Sequence, residues 1–574
     1  MRIEEGFQQT PFSDNRPYGA DPVLPGLLKR LLPPVVYSEV EPDLKRFEKK
    51  IVTNIRALSD EMYPPTVKQY NQWGQRIDDL HTSEGWRGMR TVCQQEGIVA
   101  LSYERAHGEY SRIHAFAKIL MLTGDGNVIF CPLSMTDGCA RALELHGTPA
   151  MKKDVYPRLI SRDPAMAFTS GQWMTERPGG SDVSQTETVA TLSVTATHPL
   201  GKPYKLDGFK WFSSATDSSV SLALARTGTH AQGSRGLSLF LVPLRLPLLR
   251  SPSDPLPSPT SNNIFIHRLK NKIGTQQGIK CIVPVLNITR IHSAIASIGS
   301  LRKALAIASS FATERRIAGG TQLLVDTPVH VAELAKISLT YRALSHLVFG
   351  AVHLLGKTEC KTASDEETLR FRVLTPVVKG FAADKAVAAM EECMAALGGQ
   401  GYMEENTVWA RLIRDALVEK IWEGTITVLA LDLLRSIQVP GVLDSFMNWA
   451  RQVLVNVPPA LRKETEASLS VLSTALEEIP SAYKKHFPSL ASRPAFMLVS
   501  QVTSSLYLLE HASWSYANHE TGNRTDVEAF RRWVAEAGLQ EAQRDLHRAL
   551  ADAPGQRSQD DLALVYGPRS KSKL

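Results

Sequence analysis

Lys420-Ile421-Trp422-Glu423-Gly424-Thr425 joins two apolar runs with helical spacing, Val408 to Val418 before it and Val428 to Ile437 after it. A turn there puts one carboxylate at a helix junction, beside an indole ring. Desolvation raises a carboxylate pKa, and a general base working near neutral pH is best poised at roughly 6–7. A plainer reading is a Glu near a helix N-terminus, where the macrodipole favours a negative charge. The chain on either side decides between the two.

Upstream of the turn, residues 286–440 read as a helical bundle. Ile291, Ile295, Ile298, Leu301 and Leu305 recur with helical spacing, and Pro328 to Leu355, Ser364 to Leu397 and Val408 to Val418 continue the pattern. Residues 166–285 have a different texture. Thr186 to Thr197, Tyr204 to Ser214, Val220 to Arg226 and Leu237 to Val242 are short strand-like runs separated by Gly, Asp and Ser, which predicts a sheet sandwich or barrel. Leu246 to Asn263 is a Pro/Ser-rich loop. Residues 1–165 read as mainly helical after an irregular opening, with Val67 to Leu80 and Arg112 to Leu122 as helical patterns. Residues 441–574 add amphipathic helices and, from Asp552, a polar tail expected to be mobile. The expected fold class is α+β, mainly α: an N-terminal helical domain (1–165), a middle β domain (166–285), a helical bundle (286–440) and a C-terminal helical extension (441–574).

Composition narrows the function. Hydrophobic content of 43% and charged content of 21% over 574 residues describe a globular protein with ample core. A net charge of +7 is compatible with an anionic ligand such as a nucleotide or CoA ester, but is too diffuse to argue nucleic acid. The six cysteines, Cys93, Cys131, Cys139, Cys281, Cys360 and Cys393, form no CxxC pair. That points to a reduced compartment and away from a zinc ribbon or a disulfide framework, and no metal site is expected. No apolar run reaches transmembrane length, and Met1-Arg2-Ile3-Glu4-Glu5 lacks the apolar core of a signal peptide. The closing Ser572-Lys573-Leu574 is a peroxisomal import signal, which implies an import receptor as partner.

Two further stretches carry chemistry. In Phe168-Thr169-Ser170-Gly171-Gln172-Trp173-Met174-Thr175-Glu176-Arg177-Pro178-Gly179-Gly180-Ser181-Asp182, the Pro-Gly-Gly-Ser-Asp turn offers backbone N–H groups and a hydroxyl to an anion. Gly208-Phe209-Lys210-Trp211-Phe212-Ser213-Ser214 sets aromatics beside small hydroxyls, which suits the wall and edge of a flat ring system. Each read alone is also an ordinary turn or amphipathic strand.

Together with the opening Phe7-Gln8, Tyr63-Pro64-Pro65, Cys131-Pro132-Leu133, Leu397-Gly398-Gly399-Gln400-Gly401-Tyr402 and Ile421-Trp422-Glu423-Gly424, these motifs resemble the acyl-CoA dehydrogenase family, in its AidB-like branch with an extra C-terminal helical region. The resemblance covers nearly the whole chain. It implies FAD between the sheet domain and the bundle, its adenosine end touched by a neighbouring subunit. Trp173, Met174 and Thr175 are then expected at the isoalloxazine ring, with Phe212 stacked nearby. Ser214 stands in place of the family threonine that bonds flavin N5, and Ser181 falls near the phosphates or the CoA moiety. Arg315 or Arg316 is expected at the pyrophosphate, and Gly398, Gly399 and Thr425 join the cofactor set. Glu423 matches the family's commonest base position, with Arg290 beside it; some relatives place the base before that arginine, where this chain has Thr289. The implied reaction is α,β-dehydrogenation of an acyl-CoA thioester to the trans-2-enoyl-CoA, with proton abstraction by Glu423 and hydride transfer to flavin N5. Electrons would pass to an electron-transfer flavoprotein or to oxygen, and the assembly would be a homodimer or homotetramer. Relatives with a Ser-Lys-Leu end resemble fungal chains, some of them secondary-metabolite and toxin tailoring enzymes, and no residue here selects such a pathway over fatty-acid breakdown.

The chain also departs from the pattern. After Asn271-Lys272-Ile273-Gly274-Thr275 it is shorter than the family by roughly twenty residues, the length of a strand–turn–strand unit. Ala395 and Ala396 stand where a glutamine is usual, and Thr427 is close to the site of another. The shortening makes an inactive scaffold one alternative. The other is an AidB-like nucleic-acid-binding flavoprotein using Arg531, Arg532, Arg544, His547 and Arg548, which the interleaved Glu528, Glu536, Glu541 and Asp545 and a peroxisomal address argue against.

Overall fold

A computed structural model describes residues 14, 16–194, 198–249, 260–267, 283–403, 407–483, 487–551 and 556–567. Phe7-Gln8, the shortened stretch at 276–277, most of the Pro/Ser-rich loop and Ser572-Lys573-Leu574 lie outside the described residues. The chain forms two compact units, Met1–Ala363 with Val378–Thr425, and Ser364–Val377 with Ile426–Leu574.

The first unit is built around one long helix. α1 (Ser111–Thr123) and α2 (Phe130–His146) precede the sheet; α3 (Val283–Glu314), α4 (Pro328–Cys360), α5 (Asp365–Ala396) and α6 (Thr407–Glu419) follow it. α3 is buried on nearly every side, with Ile288, Ile291, Ile295, Ile298 and Leu301 fully buried on its apolar face and Arg290, His292, Arg302 and Lys303 buried elsewhere on it. A helix of that pattern must be surrounded, and α3 packs against α1, α2, α4 and α6. Pro132 falls in the first turn of α2, where its missing N–H has no helical partner to lose. Gly138 allows α2 to approach α3 closely, since a Cβ there would lie 2.5 Å from Val285 Cγ1. Within α5 the boundary between the two units falls one residue after Pro376, which removes a helical hydrogen bond.

The helical reading of Val67 to Leu80 is overturned. Thr66–Tyr70 (β1) and Arg76–His81 (β2) form an antiparallel hairpin. Asn71 Oδ1 accepts from the N–H groups of Trp73 (2.9 Å) and Gln75 (3.0 Å), and Gly74 turns the chain at φ +73°. Asx-turn chemistry at Asn71 outweighs the helical spacing of Val67, Tyr70, Ile77 and Leu80. A Cβ at Gly74 would meet nothing within 4 Å. Gly74→Ala is therefore expected to cost only the left-handed strain, about 1 kcal/mol, measurable by urea denaturation.

The middle region is an open sheet rather than a barrel among the described residues. β3 (Ser170–Trp173), β4 (Val189–Leu192), β5 (Tyr204–Asp207), β6 (Val220–Arg226) and β7 (Leu237–Pro243) make five strands in the order β3-β6-β4-β5, with β7 also on β6. β6, Val-Ser-Leu-Ala-Leu-Ala-Arg, is buried at every position and runs parallel to β3 and antiparallel to β7. Tyr204 to Ser214 is a strand only to Asp207. A two-stranded pair, Arg245–Leu246 with Thr260–Ser261, stands apart from the sheet.

In the second unit, Ser492–Ala517 is the central helix, packed by Ile426–Ile437, Val442–Val455, Glu466–Ala482, Asn523–Glu536 and Leu539–Ala551. Its buried Ser500 and Ser505 return their hydroxyls to the carbonyls of Phe496 (2.7 Å) and Gln501 (2.8 Å), so they cost little inside a core. Ile426–Ile437, expected in the bundle, groups with this unit. Gln556–Tyr566, expected as mobile tail, is an exposed helix. Among the described residues no single helix is long and apolar enough to cross a membrane.

Candidate active site

α6 ends at Glu419, and the chain turns through Lys420 to Thr425. Glu423 sits in the turn at φ +55°, a conformation that costs a non-glycine residue roughly 1–2 kcal/mol. Two buried contacts hold it there. Lys379 on α5 donates from Nζ to the Gly424 carbonyl (2.6 Å), and the Trp422 indole N–H donates to Glu419 Oε2. The same Glu419 oxygen accepts from Ser293 Oγ on α3 (2.6 Å), which ties the turn to the central helix.

Glu423 opens onto a cavity. Phe130, Cys131, Ser134 and Met135 of α2 form one side, and Thr289, His292, Ser293 and Ala296 of α3 another. Gln172 on β3, with Phe212 and Ser214 from the loop after β5, closes the sheet side. Phe212 and Ala215 both have φ near +55°, so this loop is also held in an uncommon conformation.

Electrostatics separate the two carboxylates of the turn. Glu423 is 5% exposed. Burial raises its pKa above the ordinary 4.5, opposed by the Thr289 hydroxyl and the charges of Arg290 and Lys379. Its Oε2 is buried without a hydrogen-bond partner. Glu419 is pushed up to about 8, chiefly by burial, and its Oε2 is already engaged twice. Glu423 therefore keeps an unengaged oxygen toward the cavity, whereas Glu419 is held by Ser293 and Trp422. Burial pulls the Lys379 ammonium down, to about 7, against the pull of both acids.

Behind the α3 wall lies a buried ionic cluster. His292 Nε2 pairs with Asp137 Oδ2 (2.8 Å), Asp137 also binds Arg112 (2.6 Å) and Tyr103 (2.6 Å), and Arg112 binds Glu359 through two nitrogens (2.7 and 2.9 Å).

The expected site residues are not all in one place. Phe212, Ser214 and Glu423 line the cavity, and Trp173 lies behind it, its indole N–H on the Ser214 carbonyl (2.9 Å). Met174 and Thr175 are buried next to Trp173 without lining it. Arg290 is buried beside Glu423. Ser181, Arg316, Gly398, Gly399 and Thr425 are exposed, and Arg315 is half-buried at the end of α3. Within the first motif, Glu176 takes Lys210 Nζ, Thr188 Oγ1 and the Glu187 N–H (2.6 Å), so Glu176 and Lys210 fasten the loop to the sheet. Gln172, Ser293, Glu419, Lys379 and the His292–Asp137 pair were not anticipated. Only Glu419 carried a sequence signal, a second carboxylate one helical turn before the first.

A flavin ring fits the sheet side. Gln172 Oε1 is buried and unpartnered at that wall, a hydrogen-bond acceptor for a ring-edge N–H, with Phe212 and Ser214 beside it. A hydrocarbon inserted between this wall and Glu423 would have a hydride acceptor on one face and a base on the other.

Family comparisons agree with that geometry. Residues 8–164 match the adaptive response protein AidB N-terminal domain, 171–277 the acyl-CoA dehydrogenase middle domain and 276–438 the acyl-CoA dehydrogenase C-terminal domain. Acyl-CoA dehydrogenase family member 11 of Caenorhabditis elegans is 36% identical over 93% of this chain and 90% of its own. The putative acyl-CoA dehydrogenase AidB of Escherichia coli is 28% identical over 66% of this chain and 71% of its own. The crystal structure of Caenorhabditis elegans ACDH-11 in complex with C11-CoA superposes with a TM-score of 0.84 at 33% identity, covering 98% of this chain and 97% of that one. Fold and site define an FAD-dependent oxidoreductase. The chain belongs to the acyl-CoA dehydrogenase family.

Proposed function

We propose that this chain dehydrogenates a fatty acyl-CoA thioester to the trans-2-enoyl-CoA with Glu423 as base. One observation carries the reading: a buried carboxylate with a raised pKa and a free oxygen faces a flavin-compatible wall across one cavity. Glu423 takes the α-proton, which the thioester carbonyl has acidified. Bound FAD supplies the acceptor for the β-hydride, so two electrons and one hydrogen leave the substrate with it. Lys379 and Glu419 keep the turn in place, and Thr289, Arg290 and Lys379 oppose the pKa rise that burial imposes on Glu423. Gln172, Phe212 and Ser214 hold the ring, and the Trp173 indole fixes the backbone of Ser214. The C11-CoA complex of the similar nematode protein supports an acyl-CoA substrate.

Base catalysis of this kind has a pH signature. The rate of substrate dehydrogenation is expected to fall as pH drops, through an apparent pKa above 4.5, because protonated Glu423 cannot accept the α-proton. Stopped-flow rates across pH measure it, and an acid limb at 4.5 or below contradicts a desolvated base.

The exposed Arg316, Gly398 and Gly399 support an FAD site completed by a second subunit, in a homodimer or homotetramer; ultracentrifugation tests this. Either oxygen or an electron-transfer flavoprotein serves as acceptor, distinguished by assaying peroxide release. The peroxisomal address and a role in fatty-acyl or secondary metabolism are part of the same proposal, and imaging of a tagged chain with and without Ser572-Lys573-Leu574 tests the address. The nucleic-acid reading draws little support, because Arg531 pairs with Glu528, Arg532 with Glu536 and Arg548 with Asp545.

A further inference from the structure

A second cavity adjoins the first. The two share Phe130, Cys131, Ala296 and Trp422, and the second has Arg411, Asp415 and Glu419 on its wall. Along α3, Thr289 faces the first cavity and Ser300 the second, which places them about 16 Å apart at 1.5 Å per residue.

The far cavity contains an incompletely matched cation. Arg411 Nη1 donates to Ser59 Oγ (3.2 Å) and Nη2 to the Gly124 carbonyl (3.3 Å), both neutral acceptors, and its Nε is buried without a partner. Among the described residues it forms no ion pair, whereas nearby Asp125 is taken by Lys303 (3.0 Å) and Arg56 (3.1 Å). Burial lowers the Arg411 pKa against the more distant pull of Asp415, Asp125 and Asp60. Arg411 is half-buried; charges withdrawn from water are ordinarily paired and hydrogen-bonded, as the fully buried Arg112 is with Asp137 and Glu359. Glu419 lines the same cavity with its pKa pushed up to about 8, chiefly by burial, and Asp415 is the other acid on that wall.

We infer that Arg411 receives a carboxylate at the far end of the acyl chain, so that the preferred substrates are ω-carboxyacyl thioesters, the monothioesters of dicarboxylic acids. This rests on the acyl-CoA dehydrogenase reading. A guanidinium and a carboxylate form a two-point hydrogen-bonded pair, which an unsubstituted chain end cannot supply.

The test compares matched esters on the purified, FAD-loaded full chain: octanedioyl-, decanedioyl- and dodecanedioyl-CoA against octanoyl-, decanoyl- and dodecanoyl-CoA. Dissociation constants are read by anaerobic spectral titration, together with flavin reduction rates. At the best chain length the carboxyl form should bind at least tenfold more tightly. Arg411→Gln should remove that advantage while changing the unsubstituted ester by less than twofold, and Arg411→Lys, which keeps the charge, should retain part of it. Melting temperatures check that both variants fold. Unsubstituted esters binding as well or better at every length, or a preference that survives Arg411→Gln, overturns the inference while the dehydrogenase reading stands. Failure of every ester to bind or to reduce the flavin overturns both.

Discussion

Glu423→Gln is expected to lower the rate of acyl-CoA dehydrogenation by roughly 10²–10⁴-fold, the usual contribution of one positioned proton-transfer group. The substitution keeps the side-chain volume and its hydrogen-bonding capacity but removes the site that accepts the α-proton. Neither of the groups closest to it in the turn and on α3, Glu419 and Thr289, replaces it. Glu419 already accepts from Ser293 and Trp422, and Thr289 has no basic group. The effect should fall on the rate rather than on the affinity for acyl-CoA, because the transferred proton is engaged only in the transition state. The protein should fold as before. Glu423 stands in a strained turn, but Lys379 and the Trp422–Glu419 contact hold that turn, and neither depends on the Glu423 side chain. Single-turnover flavin reduction and substrate titration of the variant separate rate from binding. A loss of less than tenfold would mean another group takes the proton.

Arg112→Met should destabilise the first unit by about 3–5 kcal/mol, the cost of breaking a buried ion pair by removing one partner. Arg112 is 1% exposed and fills three charge-assisted bonds to Asp137 and Glu359 with its guanidinium over the Tyr103 ring. It joins α1 to α2 and α4, and Asp137 extends the cluster to His292 on α3. Methionine fills much of the volume but leaves Asp137 facing a buried space without its cation. In the intact protein burial raises the Asp137 pKa, but Arg112 and the His292 hydrogen bond outweigh it and hold the carboxyl well below its usual range. A depressed carboxylate stabilises the fold above its unfolded pKa, near 3.8, and that contribution is lost as pH falls through the folded value. The deficit of the variant should therefore be larger at neutral pH than near pH 4. Urea denaturation at both pH values measures it, and an equal deficit at the two would contradict the account. Catalysis should fall as well, because His292 lines the cavity and takes its orientation from Asp137.

What the sequence made legible was local. The Trp422-Glu423-Gly424 turn, the apolar periodicity of α3 and the run Val220 to Arg226 each carry their own signal within a few residues, and the structure has a helix junction, a buried helix and a buried strand at those places. The hairpin at 66–81 was misread because its apolar residues also fit a helical period, and the deciding interaction was one Asn side chain bonding its own backbone. The sheet was expected as a sandwich or barrel, yet strand spacing alone does not fix closure, and Tyr204 to Ser214 contributes only four strand residues. The supporting residues of the site were beyond reach. Ser293 and Glu419 are 126 positions apart, Asp137 and His292 are 155, and Arg112 and Glu359 are 247. No local pattern marks such partners. Arg411 was read only as part of an apolar helix, and its meaning lies in the cavity it borders and the acids it lacks.

The most direct measurement is the visible absorbance of the purified full-length protein, recorded anaerobically before and after adding an acyl-CoA. The account predicts flavin bands at the outset, bleaching with substrate in the unmodified chain, and bands that persist with the same substrate in Glu423→Gln. A folded protein that takes up no FAD on reconstitution, or whose flavin bleaches equally fast without the Glu423 carboxylate, would contradict it.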